Sequence, residues 1–204
     1  KLVLSLPINY QRFFNSGYES VKLKLPANLD IERINKVFQH PASQSDLTLL
    51  KNCSVKRTRG SGPGGQHRNK VETAIVITHL PTGISGQASE ARSQNKNKTV
   101  AVGRLKTNLA IGFRTQKSLE SAPSEQWNSR LKKRKIEVSQ KHPDFPALLA
   151  EALDFLHFHD FNPAATAQRL DCSTSQLIKF IKNSPQAFAM VNSQRKSLGL
   201  KKII

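Results

Sequence analysis

The sequence predicts an α+β fold: a small mixed or antiparallel sheet with a packed helix, then a C-terminal helical part of helix-turn-helix proportions. Three observations predict it. Two strand-like stretches, 53–58 and 74–80, flank a glycine-rich loop. A helical apolar stripe of Val102, Leu105 and Leu109 follows. The remainder carries capped apolar segments at helical spacing, two of them opening on Asn-Pro or Ser-Pro.

Residues 1–40 are an N-terminal extension with no assigned role. There Val21, Leu23 and Leu25 alternate with Lys22 and Lys24, as in a short strand ended by Pro26. Asp30 suits the cap of a helix holding Ile31, Ile34, Val37 and Phe38. A domain over 41–115 comes next. Ser45 suits an N-cap, with Leu47 and Leu50 expected to face a core. Cys53, Val55 and Arg57 then alternate with Ser54, Lys56 and Thr58, as in a strand. Residues 74–80 are rich in β-branched side chains. Leu80-Pro81-Thr82-Gly83 reads as a turn, since Pro fixes φ and Gly closes it. The returning strand, 84–89, is weak because Ser85, Gly86 and Gln87 have little strand preference. A helix is expected over 93–113, with Lys96, Lys98, Arg104 and Lys106 spread over its other faces.

Residues 116–140 read as a basic linker, disordered in isolation, that includes Arg130, Lys132, Lys133, Arg134 and Lys135. A helical domain over 141–204 closes the chain. Its first helix carries Leu148, Leu149, Ala152, Leu153 and Leu156. Asn162-Pro163 and Ser184-Pro185 give cap-and-proline starts to two more, and Ser173 caps another holding Leu177, Ile178 and Ile181. The helices on either side of Asp171-Cys172-Ser173 have helix-turn-helix proportions.

Charge narrows the function. The net charge is +18, from 32 Lys and Arg against 14 Asp and Glu. That excess favours a polyanion, through counterion release and long-range steering. An acidic membrane is the rival, but neither a basic amphipathic helix of the required length nor an apolar span is present in the sequence. Nucleic acid is preferred, and no membrane partner is expected. Cys53 and Cys172 make no C-x-x-C pair, and His157 and His159 lie two apart, so no metal site and no cofactor are expected. No cleavable signal peptide is recognisable. The chain begins on Lys, not Met. A cytoplasmic location is therefore expected, with a mitochondrial one open if a targeting peptide precedes these residues.

The loop Arg59-Gly60-Ser61-Gly62-Pro63-Gly64-Gly65-Gln66-His67-Arg68-Asn69-Lys70 holds four glycines in six positions. Such density permits φ > 0 and close approach of backbone to a ligand. Gly60, Gly62 and Gly65 match G-x-G-x-x-G formally, but the dinucleotide fingerprint opens a helix, and here a strand follows. A phosphate loop would need Lys where Gln66 stands. Ser61 lacks the G-x-S-x-G elbow of a nucleophilic serine.

The same loop resembles the signature of class I peptide-chain release factors. The resemblance continues through Thr78-His79-Leu80-Pro81-Thr82-Gly83-Ile84 and Arg92-Ser93-Gln94-Asn95-Lys96-Asn97-Lys98, covering roughly 43–112. Arg68, Ala91, Ser85 and Gly86 depart from the family pattern and put local strand stability in doubt. Neither a Pro-Ala-Thr nor a Ser-Pro-Phe codon-reading tripeptide occurs, so stop-codon reading is not expected. The resemblance implies a codon-independent rescue factor that hydrolyses the peptidyl-tRNA ester, with Gly64, Gly65 and Gln66 as catalytic residues. It implies the large ribosomal subunit and peptidyl-tRNA as partners, a glutamine methyltransferase acting on Gln66, and a monomer. Arg59, His67, Arg68, Lys70, Arg92, Lys96 and Lys98, with Arg130, Lys132, Lys133, Arg134 and Lys135, are the expected RNA contacts, since cations on phosphate position a protein without reading sequence. A non-catalytic ribosome- or RNA-binding factor on the same fold is the alternative, and a DNA-binding regulator built on the C-terminal helices is a third reading.

Overall fold

The computed structural model describes residues 39–59, 72–119 and 121–204. The strand and helix expected before residue 39 lie outside them. A 3-10 turn, Pro41–Ser43, leads to helix α1, Asp46–Lys51. Ser45 caps α1, its hydroxyl accepting from the Thr48 N–H at 3.2 Å. The inward residue of α1 is Leu49, fully buried, whereas Leu47 is 80% exposed. Leu50 only packs against the core edge. A helix of this length buries little more than one position, and its phase brings Leu49 to the core instead of the expected Leu47.

Three strands form an antiparallel sheet in the order β1-β2-β3: Cys53–Thr58, Ala74–His79 and Ser85–Ala88. Central β2 buries Ala74, Ile75, Ile77 and His79. β1 is an edge strand whose Lys56 and Arg57 stay exposed; charges on an edge discourage pairing with another chain. The β2–β3 turn closes at Gly83, φ +70°, a conformation that suits a residue without Cβ.

Helix α2, Gln94–Gly112, lies across this sheet and buries Ala101, Val102, Leu105, Leu109 and Ala110. Burying each of the two leucines contributes roughly 1.5–3 kcal/mol. The weak preference of β3 has its reason here. A Cβ on Gly86 would fall closer than 3.0 Å to Leu105 N, Leu105 Cα and Ala101 O, all backbone atoms of α2. Gly86 therefore lets helix and strand backbones approach, which gives its place in this strand a packing reason.

The segment 116–140 is not a disordered linker. It carries helix α3, Glu125–Arg130, and a two-stranded hairpin of β4, Leu131–Lys132, and β5, Lys135–Ile136. Its apolar residues are few, but Trp127 is buried, donates its indole N–H to Leu170 O at 2.9 Å and meets Phe180 edge-on. Arg169 donates to the carbonyls of Leu119 and Ser121, which fixes the stretch before α3.

Four helices follow: α4, Phe145–Phe158; α5, Pro163–Arg169; α6, Thr174–Lys182; and α7, Pro185–Ser197. Asn162, Ser173 and Ser184 cap the last three, as expected. α4 packs on α2. That contact encloses Asp154, which accepts from Arg114 at 3.2 Å and from the Thr115 N–H at 3.1 Å, and also from the Thr115 hydroxyl. One core cluster runs from Ala42 to Val191, and residues 40–204 form one compact unit. Among the described residues, no helix is long and apolar enough to cross a membrane.

Candidate functional site

Gly64, Gly65, Gln66, His67, Arg68 and Lys70 lie outside the described residues. Both attachment points of their segment are described. The last registered pair of β1 and β2 is Thr58 with Ala74, so the segment leaves and re-enters the sheet at one end. Arg59 continues β1 there, exposed, and Glu72 and Thr73 lead into β2.

The start of α2 grips the returning limb. Gln94 donates its amide to Glu72 O at 2.7 Å. Asn97, fully buried, donates to Thr73 O at 2.7 Å and to Ala91 O at 2.8 Å, and accepts from the Ala91 N–H at 2.9 Å. Both amide hydrogens and the carbonyl are thus used, which a buried carboxamide requires. The anchor ties the loop limb, the turn before α2 and the first turns of α2 together. Charge alone points to Lys96 and Lys98 and gives no role to the neutral Gln94 and Asn97. A signal for Asn97 exists: it sits four residues before Ala101 and eight before Leu105, on the buried stripe of α2, where a polar residue must find partners.

Arg92, Lys96 and Lys98 are exposed around this helix start, and Ser93 caps it through the Lys96 N–H at 3.4 Å. The helix dipole adds partial positive charge at the same end. Of the nearby carboxylates, Glu90 is taken up by Arg104 at 2.6 Å, whose hydrogen bond holds its carboxyl below the ordinary value. Arg59 at the end of β1 and Arg92, Lys96 and Lys98 around the start of α2 are thus exposed cations near the end of the sheet where Glu72 leads into β2, and Glu72 is the exposed carboxylate beside them.

The other predicted cations lie on α3 and the hairpin. Arg130 donates from Nε (2.9 Å) and Nη2 (2.6 Å) to Asp144 Oδ2. Burial alone would raise the Asp144 carboxyl, but the hydrogen bonds from Arg130 and Gln126 and the Arg130 charge hold it low. Arg130 is thus committed to an internal ion pair. Lys132, Lys133, Arg134 and Lys135 are exposed.

Among the described residues, His79 and Cys172 are held in structural settings. His79 is buried, its Nδ1 bonded to the Thr82 hydroxyl at 2.9 Å, and burial lowers its pKa. It holds the turn after β2. Burial pushes the Cys172 thiol up to about 11, so it stays protonated near neutrality. Among the described residues, no three His, Cys, Asp or Glu side chains are grouped to hold a metal. What the described residues offer is a firmly tied base for this segment, with exposed cations beside it.

Residues 48–144 match the RF-1 domain family. Peptide chain release factor 2 of Shewanella baltica is 49% identical over 76 residues, which is 36% of this chain and 21% of that protein. A chloroplastic peptide chain release factor of Arabidopsis thaliana is 46% identical over 70 residues, 34% of this chain and 15% of that protein. Peptide chain release factor 1 of Rickettsia typhi is 40% identical over 77 residues, 38% and 22% of the two chains. The chain thus spans between 15% and 23% of the length of the curated relatives it matches.

Proposed function

We propose, from the match of residues 48–144 to the RF-1 domain family, that this chain hydrolyses the peptidyl-tRNA ester on the large ribosomal subunit, rescuing stalled ribosomes without reading a stop codon. The observation that carries this reading is an intact Gly64-Gly65-Gln66 inside the matched residues.

Water attacks the ester carbonyl carbon, and the carbonyl oxygen becomes a tetrahedral oxyanion. Collapse breaks the carbon–oxygen bond to the terminal ribose, the ribose oxygen takes a proton, and the peptide leaves as a carboxylic acid. The largest help a protein can give is a preorganised donor aimed at the oxyanion. The backbone N–H of Gln66 serves, because Gly64 and Gly65 let the main chain bend close beside RNA. The Gln66 carboxamide does not titrate near neutrality, so it positions water and is no general base. Arg59, His67, Arg68, Lys70, Arg92, Lys96 and Lys98 hold RNA phosphate around that tip.

The test is release of labelled peptide from stalled ribosome complexes with an empty A site. The wild type releases peptide and Gly65→Ala does not. Gln66→Ala keeps the backbone donor and part of the activity, whereas Gln66→Pro deletes the N–H and lowers the rate by about 10²–10³. Full activity in Gln66→Pro would rule out the backbone donor. Wild-type release no higher than that of Gly65→Ala, with ribosome binding intact, would make the chain a non-catalytic binding factor.

A further inference from the structure

The β4–β5 hairpin is built against its own stability. Its turn residues, Lys133 and Arg134, both sit at positive φ, +46° and +61°. Hairpin turns of this kind favour Asn and Gly, because a Cβ is strained there. Lys132 stands directly opposite Lys135 across the strand pair, and like charges in that relation repel. Among the described residues, only the exposed Glu137, 3.4 Å from Lys132, forms an ion pair with either lysine. Among the described residues, neither Lys133 nor Lys135 has an ion pair or a hydrogen-bonded side-chain partner. Of four consecutive cations, two are thus kept at disfavoured backbone angles and two face each other across the strands, and an external anion would reverse the second cost.

The hairpin is also braced. β5 packs against α6. The Ser173 N–H, at the cap of α6, donates to Arg134 O at 3.4 Å, and Arg134 Nη2 donates to Cys172 O at 3.3 Å. Arg134 further approaches Asp171 at 3.9 Å. The strained tip is therefore fixed on the turn between α5 and α6. Beyond it, Ser175, Lys179 and Lys182, spaced i, i+4 and i+7, form one exposed stripe of α6.

We propose that this hairpin and the exposed stripe of α6 together form a docking surface for the phosphate backbone of structured RNA. The exposed face of α6 carries no arginine, and its one glutamine, Gln176, is half-buried. It is thus poor in the side chains that read base edges and rich in lysines that hold phosphate. The choice of RNA over DNA rests on the function proposed above; the phosphate chemistry does not. Arg130, committed to Asp144, lies outside the surface.

The experiment measures binding of the full chain to a short RNA duplex, to the DNA duplex of the same sequence and to ribosomes, each across a salt series. Lys133→Gln/Lys135→Gln should weaken RNA binding and lower the slope of log K against log salt by about 2. Lys133→Asn suits the turn better, so its thermal midpoint should stay or rise while the slope falls by about 1. That pairing separates docking from folding, since a purely structural lysine would move the midpoint and not the slope. RNA binding of wild-type strength and slope in both variants would overturn the proposal. Tighter binding of the DNA duplex than of the RNA duplex would overturn it in favour of a DNA surface. Peptide release is scored separately. A wild type that binds RNA through these lysines but releases no peptide defeats ester hydrolysis and leaves the docking surface standing.

Discussion

Gly86 shows how one missing methyl sets the distance between two elements. Its hypothetical Cβ meets helix backbone, which has no rotamer to escape into. Gly86→Ala must push α2 off β3, and overpacking of this kind costs about 1–3 kcal/mol or more. Urea denaturation should show the loss, and a midpoint equal to wild type would mean the backbones are not in contact. His40 and His79 make a second residue-scale case, in proton linkage. His40 accepts from the Ala42 N–H on Nδ1 at 3.0 Å, and its Nε2 bonds to Phe113 O at 3.1 Å. Burial lowers its pKa; the Asp154 charge and the Phe113 hydrogen bond oppose that, and Arg114 and Lys117 add to it. His79 is lowered by burial as well. The unfolded chain then binds these protons more readily than the folded one. Their contribution is complete above the ordinary value of 6.5 and is lost as pH falls through the lowered folded values. Each ring can remove at most about 1.4 kcal/mol per pH unit. Stability should decline from pH 7 to pH 5, before the carboxylates titrate, and the decline should flatten in His40→Gln/His79→Gln. An unchanged slope in that double variant would show the rings are not its source.

At the scale of elements, the first turns of α2 do two jobs. Their cations face solvent, while Gln94 and Asn97 fasten the limb that returns from the loop to β2. Replacing Asn97 by Ala leaves the buried Thr73 O and the half-buried Ala91 backbone groups without their partner, at about 1–3 kcal/mol. It also frees Thr73, two residues from the undescribed segment. If the loop works as a presented main chain, its placement matters more to turnover than to affinity. Asn97→Ala should therefore lower the rate of peptide release at saturating ribosomes with little change in ribosome affinity, and Gln94→Ala, at an exposed bond, should do so more weakly. Equal losses of binding and rate would assign Asn97 to folding alone. The elements themselves were readable wherever local chemistry decides them. Ser45, Ser93, Asn162, Ser173 and Ser184 cap helices as their residue types indicate. What local chemistry cannot report is which backbones will touch. Gly86 therefore reads as a weak strand residue, and sequence spacing points Leu47 and Leu50 inward, where the fold buries Leu49 and only packs Leu50 at the core edge.

For the whole molecule, composition misled where long-range packing decides. Residues 116–140 are polar and basic, which reads as a linker, yet one large side chain is enough to draw them in. Trp127, the chain's single tryptophan, fills space beside Phe180 and ties its indole to Leu170, forty-three positions on. The candidate site was legible in a different way: the glycine loop announces itself by residue type, but its anchors at Gln94 and Asn97 depend on a helix meeting a strand. Because α2 packs on both the sheet and α4, and the core is continuous from Ala42 to Val191, residues 40–204 should unfold as one cooperative unit and not as two domains on a string. Trp127 makes this measurable. Its fluorescence should be that of a buried indole in the native state and should shift red in a single transition. Amide exchange at Ile77 in β2 and at Phe180 in α6 should open with the same free energy as that transition, since coincident probes are the mark of a two-state unit. Trp127→Ala should destabilise both amides together, by about 3–5 kcal/mol. Loss of protection at Phe180 with Ile77 unaffected would show instead that the sheet and the C-terminal helices fold independently.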